Sequence, residues 1–164
     1  IAENLEKAYE NGEDREARRN MMIASTIGGM AFISSNVGAV HAFAETVGAW
    51  FDTPHGVANS LFLPYIMEFN IPACPERFAD IADAMGIERE ESMSDEQYAL
   101  KAVEYVKALN RKLNIPTIKE IKGITEERFE AIAERSANNV LSNDNARKIT
   151  KEDYLELLKK AYNE

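Results

Sequence analysis

Apolar positions recur at helical spacing along almost the whole chain, and no segment alternates with the two-residue period of a strand. The pattern predicts a short helix over about residues 2–10, cut by Asn11-Gly12. A long helix follows, opened by Glu13 or Asp14 and running to about Asn36. Gly28 and Gly29 lie inside it. Glycines weaken a helix interior unless another element packs closely there, and no Lys-Ser/Thr follows to make a phosphate loop. A Gly/Ala-rich helix is expected from Gly38 to about Trp50. Thr53 then reads as an N-cap and Pro54 as the first position of a helix running towards Phe69, kinked or interrupted near Pro64.

Pro75 opens the next helix, which reaches about Met85 and stops at Gly86. Ser94-Asp95-Glu96-Gln97 is a capping box, with Met93 and Tyr98 placed as its hydrophobic staple, and its helix runs to about Leu113 before Asn114-Ile115-Pro116 breaks it. A short turn over residues 117–121 precedes a helix predicted from Thr125 to about Leu141. Thr150-Lys151-Glu152-Asp153 resembles a second capping box, stapled by Ile149 and Tyr154, and the last helix ends near Tyr162. The expectation is an all-α fold: one multi-helix bundle domain over residues 1–164, with seven to nine helices.

Composition narrows the class of protein. At 164 residues and 45% hydrophobic, the chain suits one domain with a real core. A net charge of −9 argues against a nucleic-acid partner, which needs a basic surface. No apolar run reaches the ~20 residues of a membrane helix, so no membrane is expected. The start, Ile1-Ala2-Glu3-Asn4, has no signal-peptide pattern. Position 1 is not Met, which leaves two readings: the natural protein begins upstream, or the chain is a piece cut in the laboratory. Cys74 is the only cysteine, which excludes an internal disulfide and a Cys-based zinc site within the chain. A reduced, cytoplasmic setting is expected. Neither a hydrolase elbow nor a dinucleotide fingerprint is present.

The candidate chemistry rests on the only two histidines, His41 and His55. On a helix Glu45 lies one turn beyond His41 on the same face, and Gly48 continues that face. His55 is expected in the first turn of its helix, where the dipole favours the neutral, metal-binding imidazole. Each residue also has a plainer reading: an ordinary His/Glu helix pair, and a His that helps cap its helix. Together they suit Zn²⁺ or Fe²⁺ as half a site, whose third ligand is Glu45, another carboxylate or a group outside the chain. Asn59, one turn from His55, is a candidate lining residue or a structural one. Cys74 reads as inert, and Met21, Met22 and Met30 as core.

A resemblance sharpens this. His41-Ala42-Phe43-Ala44-Glu45-x-x-Gly48, followed by Pro54-His55-Gly56-x-x-Asn59-x-x-x-Leu63-Pro64 and Phe69-Asn70, resembles the central motif of the iron-containing alcohol dehydrogenases. Asn11-Gly12-Glu13-Asp14 with Ala17-Arg18, Asn114-Ile115-Pro116-Thr117, and Asn145-Ala146-Arg147-Lys148-x-Thr150-x-Glu152-Asp153 resemble further segments of that family. The resemblance implies a two-domain enzyme: an N-terminal α/β domain that binds NAD(P), and a helical C-terminal domain that holds Fe²⁺, or Zn²⁺ in some members, on an Asp and three His. His41 and His55 match two of those ligands. The Asp and the remaining His belong to an Asp-x-x-x-His segment expected upstream of Ile1, as is the whole nucleotide-binding domain. Glu45 falls where many members have a His close to the nicotinamide; it is expected to face the cleft and to relay a proton or hold a water. The family's Asn-Pro-Arg is Asn145-Ala146-Arg147 here, and no role is carried over for it.

The implied function is that of a fragment of a metal-dependent NAD(P) alcohol dehydrogenase acting on a primary alcohol or diol and its aldehyde, inactive without the missing domain. The alternatives are a stand-alone helical metal-binding or interaction module, and a zinc polyol dehydrogenase or synthase-like relative. Self-association into a homo-oligomer is left open.

Overall fold

The computed structural model describes all 164 residues, as eight α-helices joined by turns and short 3₁₀ segments, with no strand. The helices are α1 (Leu5–Glu10), α2 (Arg15–Ser35), α3 (Ala39–Phe51), α4 (His55–Asn70), α5 (Pro75–Ala84), α6 (Asp95–Lys112), α7 (Phe129–Ala137) and α8 (Lys151–Asn163). No single helix is long and apolar enough to cross a membrane.

The cap chemistry sets most of the boundaries. Asp14 opens α2 by accepting from the Glu16 and Ala17 amides at 3.1 and 3.0 Å. Both expected capping boxes form, Ser94 with Gln97 before α6 and Thr150 with Asp153 before α8. Four expectations change. The first helix is shorter than predicted, starting at Leu5 after a turn. The expected helix from Thr125 to Leu141 is only α7 at its centre, with 3₁₀ turns over Glu126–Arg128 and Val140–Asp144 on either side. Pro54, not Thr53, is the N-cap of α4, and the buried Thr53 hydroxyl has no hydrogen-bond partner. Finally, α4 runs uninterrupted through Pro64.

That continuity has a physical cause. Pro64 has no N–H, so the Ser60 carbonyl one turn earlier loses its helical donor. Asn110 of α6 replaces it, its Nδ2 donating to Ser60 O at 2.6 Å. Substitution Asn110→Ala is expected to leave that carbonyl unpaired and to cost about 1–3 kcal/mol. Urea denaturation measures it, and a loss below about 0.5 kcal/mol, the range of an ordinary surface change, would refute the compensation.

The core lies in two parts. The larger is built by α3, α4, α7 and α8, where Phe43 stacks on Phe62 at 4.2 Å and meets the edge of Tyr154 at 4.6 Å. Ser142 Oγ donates to the Ser136 carbonyl at 2.7 Å, so the Tyr154 hydroxyl donates to Ser142 Oγ, also at 2.7 Å. Burial pushes the Tyr154 phenol up to about 12. The smaller part joins α5 and α6 to the end of α4 through Met67, Ile71, Ala79, Ala82, Tyr98 and Val103.

α2 stands apart from both. Of its residues only Ala17 is buried. A Cβ added at Gly28 or Gly29 would meet nothing within 4 Å, so the close packing expected at these glycines is not made within residues 1–164.

Candidate metal centre

α3 turns one side inward and the other out. Ala42, Phe43, Ala44, Thr46 and Val47 are buried, while His41 is half-buried and Glu45 exposed. Ser136 Oγ donates to Thr46 Oγ1 at 3.2 Å and ties the inner side to α7. His55 is the first helical residue of α4, exposed, and its ring lies 5.3 Å from that of His41, tilted by 53°.

This spacing suits one shared ion. With metal–nitrogen bonds of about 2.1 Å and ring centres about 1 Å beyond the nitrogens, two imidazoles on one tetrahedral ion place their centres roughly 5 Å apart. The His41 pKa is lowered, first by burial, then by repulsion from His55, with Glu45 acting weakly the other way. The neutral ligand form is therefore favoured. No third His, Cys, Asp or Glu joins the pair, so these residues fit a metal as part of a ligand set and not as a whole one.

The sign of the His41 shift has a measurable consequence. A folded pKa below the unfolded value disfavours the imidazolium, so its contribution to stability is full above about pH 6.5 and is lost as pH falls through that value towards the lowered pKa. An NMR titration of the His41 ring protons in metal-free protein is expected to give a midpoint below 6.5; a midpoint above it would contradict the burial argument.

Two amides orient the polar groups. Asn59 Nδ2 donates to the His55 backbone carbonyl at 2.9 Å and lies 3.1 Å from His55 Nε2, while its Oδ1 is buried without a partner. Turned the other way, Oδ1 would face that carbonyl oxygen, so the amide nitrogen is the atom that meets the ring. Asn139 Nδ2 donates to Glu45 Oε2 at 2.7 Å. Its Oδ1 is committed to the Leu141 amide at 3.0 Å, which fixes which end faces Glu45. Helical spacing in the sequence points to Asn59. Nothing in the sequence links positions 45 and 139, so Asn139 is legible only in the fold.

A clamp holds the two His-bearing helices in register. Asn70 and Asn145 exchange hydrogen bonds, Asn145 Nδ2 to Asn70 Oδ1 at 2.7 Å and Asn70 Nδ2 to Asn145 Oδ1 at 3.1 Å. The same Asn145 Oδ1 accepts from the Ala39 amide at 3.3 Å, supplying the cap that Gly38 cannot. A Cβ at position 38 would sit 3.0 Å from that oxygen and 3.3 Å from the Asn145 Cα, so a larger residue would press on the clamp. Arg147 Nη1 donates to the Phe69 carbonyl at 3.0 Å with its guanidinium over the Phe69 ring. The Asn145-Ala146-Arg147 turn, for which the sequence suggested no role, thus ties the end of α4 to the start of α3.

An all-helical domain thus presents two imidazoles side by side at one open face. The chain matches the model of the Fe-containing alcohol dehydrogenase family, C-terminal, over residues 1–162, and it belongs to that family. It is 37% identical over 162 residues to the 1,3-propanediol dehydrogenase of Citrobacter freundii, covering 99% of this chain and 42% of that protein. It is 38% identical over 149 residues to the lactaldehyde reductase of Escherichia coli K12, covering 91% of this chain and 39% of that one. Among solved structures it superposes on a 1,3-propanediol oxidoreductase with a TM-score of 0.92 at 36% identity, and on the alcohol dehydrogenase of Oenococcus oeni with 0.92 at 39%. The first covers 98% of this chain and 42% of the solved one. The chain therefore spans less than half the length of these relatives.

Proposed function

We propose that residues 1–164 form the metal- and substrate-holding domain of an iron-dependent NAD(P) alcohol dehydrogenase that interconverts a small primary alcohol or diol and its aldehyde. The supporting observation is the convergence of His41 and His55 at 5.3 Å on an open face, in a chain of this family. His41 and His55 hold the ion, and the remaining ligands and the nucleotide site come from a domain outside this chain. When bound there, Fe²⁺ (or Zn²⁺) supplies Lewis acidity to the substrate oxygen, and the nicotinamide accepts or gives the hydride.

The chain's own residues do the rest. Asn59 holds the His55 carbonyl and, in the metal-free protein, donates to the ring Nε2, a contact it gives up when that lone pair takes the ion. Asn139 holds one oxygen of Glu45 and leaves the other free. The free oxygen takes the hydroxyl proton during alcohol oxidation, directly or through a water, and returns it during aldehyde reduction. Alcohol and NAD(P)⁺ thus give aldehyde, NAD(P)H and one proton. Relatives named as a 1,3-propanediol dehydrogenase, a lactaldehyde reductase and an NADPH-dependent butanol dehydrogenase support small alcohols as the substrate class.

The test uses the complete protein, purified, stripped of metal and reloaded with Fe²⁺. Reduction of a short aldehyde is expected with NADH or NADPH, lost on stripping and restored on reloading. No turnover with either nucleotide across C2–C4 primary alcohols, diols and aldehydes would overturn the proposal.

A further inference from the structure

The feature least accounted for is α2. It is about 30 Å long at a rise of ~1.5 Å per residue, yet its one substantial neighbour in the chain is the short α1. Its outer half carries Met22, Ile23, Ile27, Met30, Phe32 and Ile33, all exposed, Ile33 by 79% and Met22 by 73%. No charged residue occurs between Arg19 and Glu45. At 100° per residue Met22, Ile33, Met30, Ile23 and Ile27 lie in that order within an arc of about 140°, and Ala31, Ala24 and Gly28 continue it round to Phe32. A helix apolar all round is a buried helix. Exposed apolar area on this scale marks a contact surface.

The occupant can be named from length and chemistry. This chain accounts for 42% of its relatives' length, so more than half of each relative lies outside the matched region. Gly28 and Gly29 have open space above them, room for another backbone to come close. Both glycines sit in mid-helix, where only such an approach offsets their cost. The absence of charge from Asn20 to Asn36 fits an apolar protein segment. The join to the metal face is firm: Asn36 takes a left-handed φ of 59° between α2 and α3, and its Nδ2 donates to Asp144 Oδ2 at 2.7 Å.

We propose that α2 is a central, buried helix of the complete polypeptide, enclosed by apolar segments of the same polypeptide outside residues 1–164, with the closest backbone approach at Gly28-Gly29. This rests on the reading that the chain is one part of a longer dehydrogenase, and it adds the surface by which that part is joined to the rest. It also makes α2 the mechanical link between the two parts, because only Asn36-Val37-Gly38, at a bend of 107°, separates it from the helix that carries His41.

The experiment is thiol labelling of the complete protein, with Cys74→Ser as the background and modified peptides mapped by mass spectrometry. Ile27→Cys and Ile33→Cys are compared with Glu16→Cys at the polar end of α2. Positions 27 and 33 are expected to stay unlabelled until denaturant is added, at least ~10-fold slower than position 16. Labelling at equal rates would overturn the proposal. Protection lost on dilution to the monomer would overturn it too, in favour of a second copy as the occupant. Gly29→Ala gives a second reading should the cysteine variants fold poorly. On an exposed helix this change raises the melting temperature, whereas against a close backbone it lowers it. An active enzyme with an open α2 defeats this inference alone. A protein with a hidden α2 and no metal-dependent turnover defeats only the functional reading.

Discussion

On the proposed function, His55→Ala in the complete protein is expected to lose its metal and, with it, turnover. Even outer-sphere partners of a metal ligand are worth about 10–100-fold in affinity or activity, so removing one of the two converging imidazoles should exceed the upper end of that range. The fold should survive. His55 is exposed, and its first-turn position in α4 is set by the Pro54 carbonyl, which accepts the Ala58 amide at 3.0 Å. Asn59 loses the ring but keeps the residue-55 carbonyl. The melting curve of the metal-free variant should therefore match that of the metal-free parent to within ~0.5 kcal/mol, as for an ordinary surface change. Metal content by elemental analysis and kcat are the measurements. A variant that retains one equivalent of metal and full kcat would refute the assignment of His55.

Phe43→Ala should do the opposite to the fold. Phe43 is fully buried and central to the larger core, stacked on Phe62 and capped by the edge of Tyr154. Deleting such a ring costs about 3–5 kcal/mol, lost transfer energy and the unfilled cavity together. Phe43 also lies between His41 and Glu45 in sequence, on the inward side of the same helix. Its loss loosens α3, so metal affinity should fall along with stability, whereas His55→Ala leaves stability alone. Urea denaturation of the metal-free protein separates the two variants. A cost below about 1 kcal/mol, the size of an average substitution, would show that α3 is not anchored by this residue.

The contrast between these residues shows what kinds of information a sequence carries. Ser94 and Gln97, or Thr150 and Asp153, are three residues apart, so their pairing is a local event that the chain announces directly. The helical period of α3, α4 and α6 was legible for the same reason. So were the candidate ligands, because two histidines fourteen positions apart in a Gly/Ala-rich setting match a family pattern. Other features were not local. Pro64 read as a break, since the donor that repairs the Ser60 carbonyl comes from Asn110, on another helix. The helix expected over 125–141 gave way at both ends. Near its end, Asn139 turns its side chain to the Leu141 amide and to Glu45. Thr53 read as a cap by its type, yet its hydroxyl is buried elsewhere and unpaired.

The sequence by itself determined the all-helical class, the positions of most helix ends, the family and the two imidazoles, because periodicity, caps and motifs act over a few residues. Tertiary structure alone decided that His41 and His55 face one another, that Asn139 holds Glu45, and that Asn70 and Asn145 lock α3 to α4. It also decided that residues 1–164 leave most of α2 uncovered. Each of these depends on which surfaces meet after the chain has folded back across tens of residues, and hydrogen bonds and apolar contacts between distant positions leave no spacing rule to read.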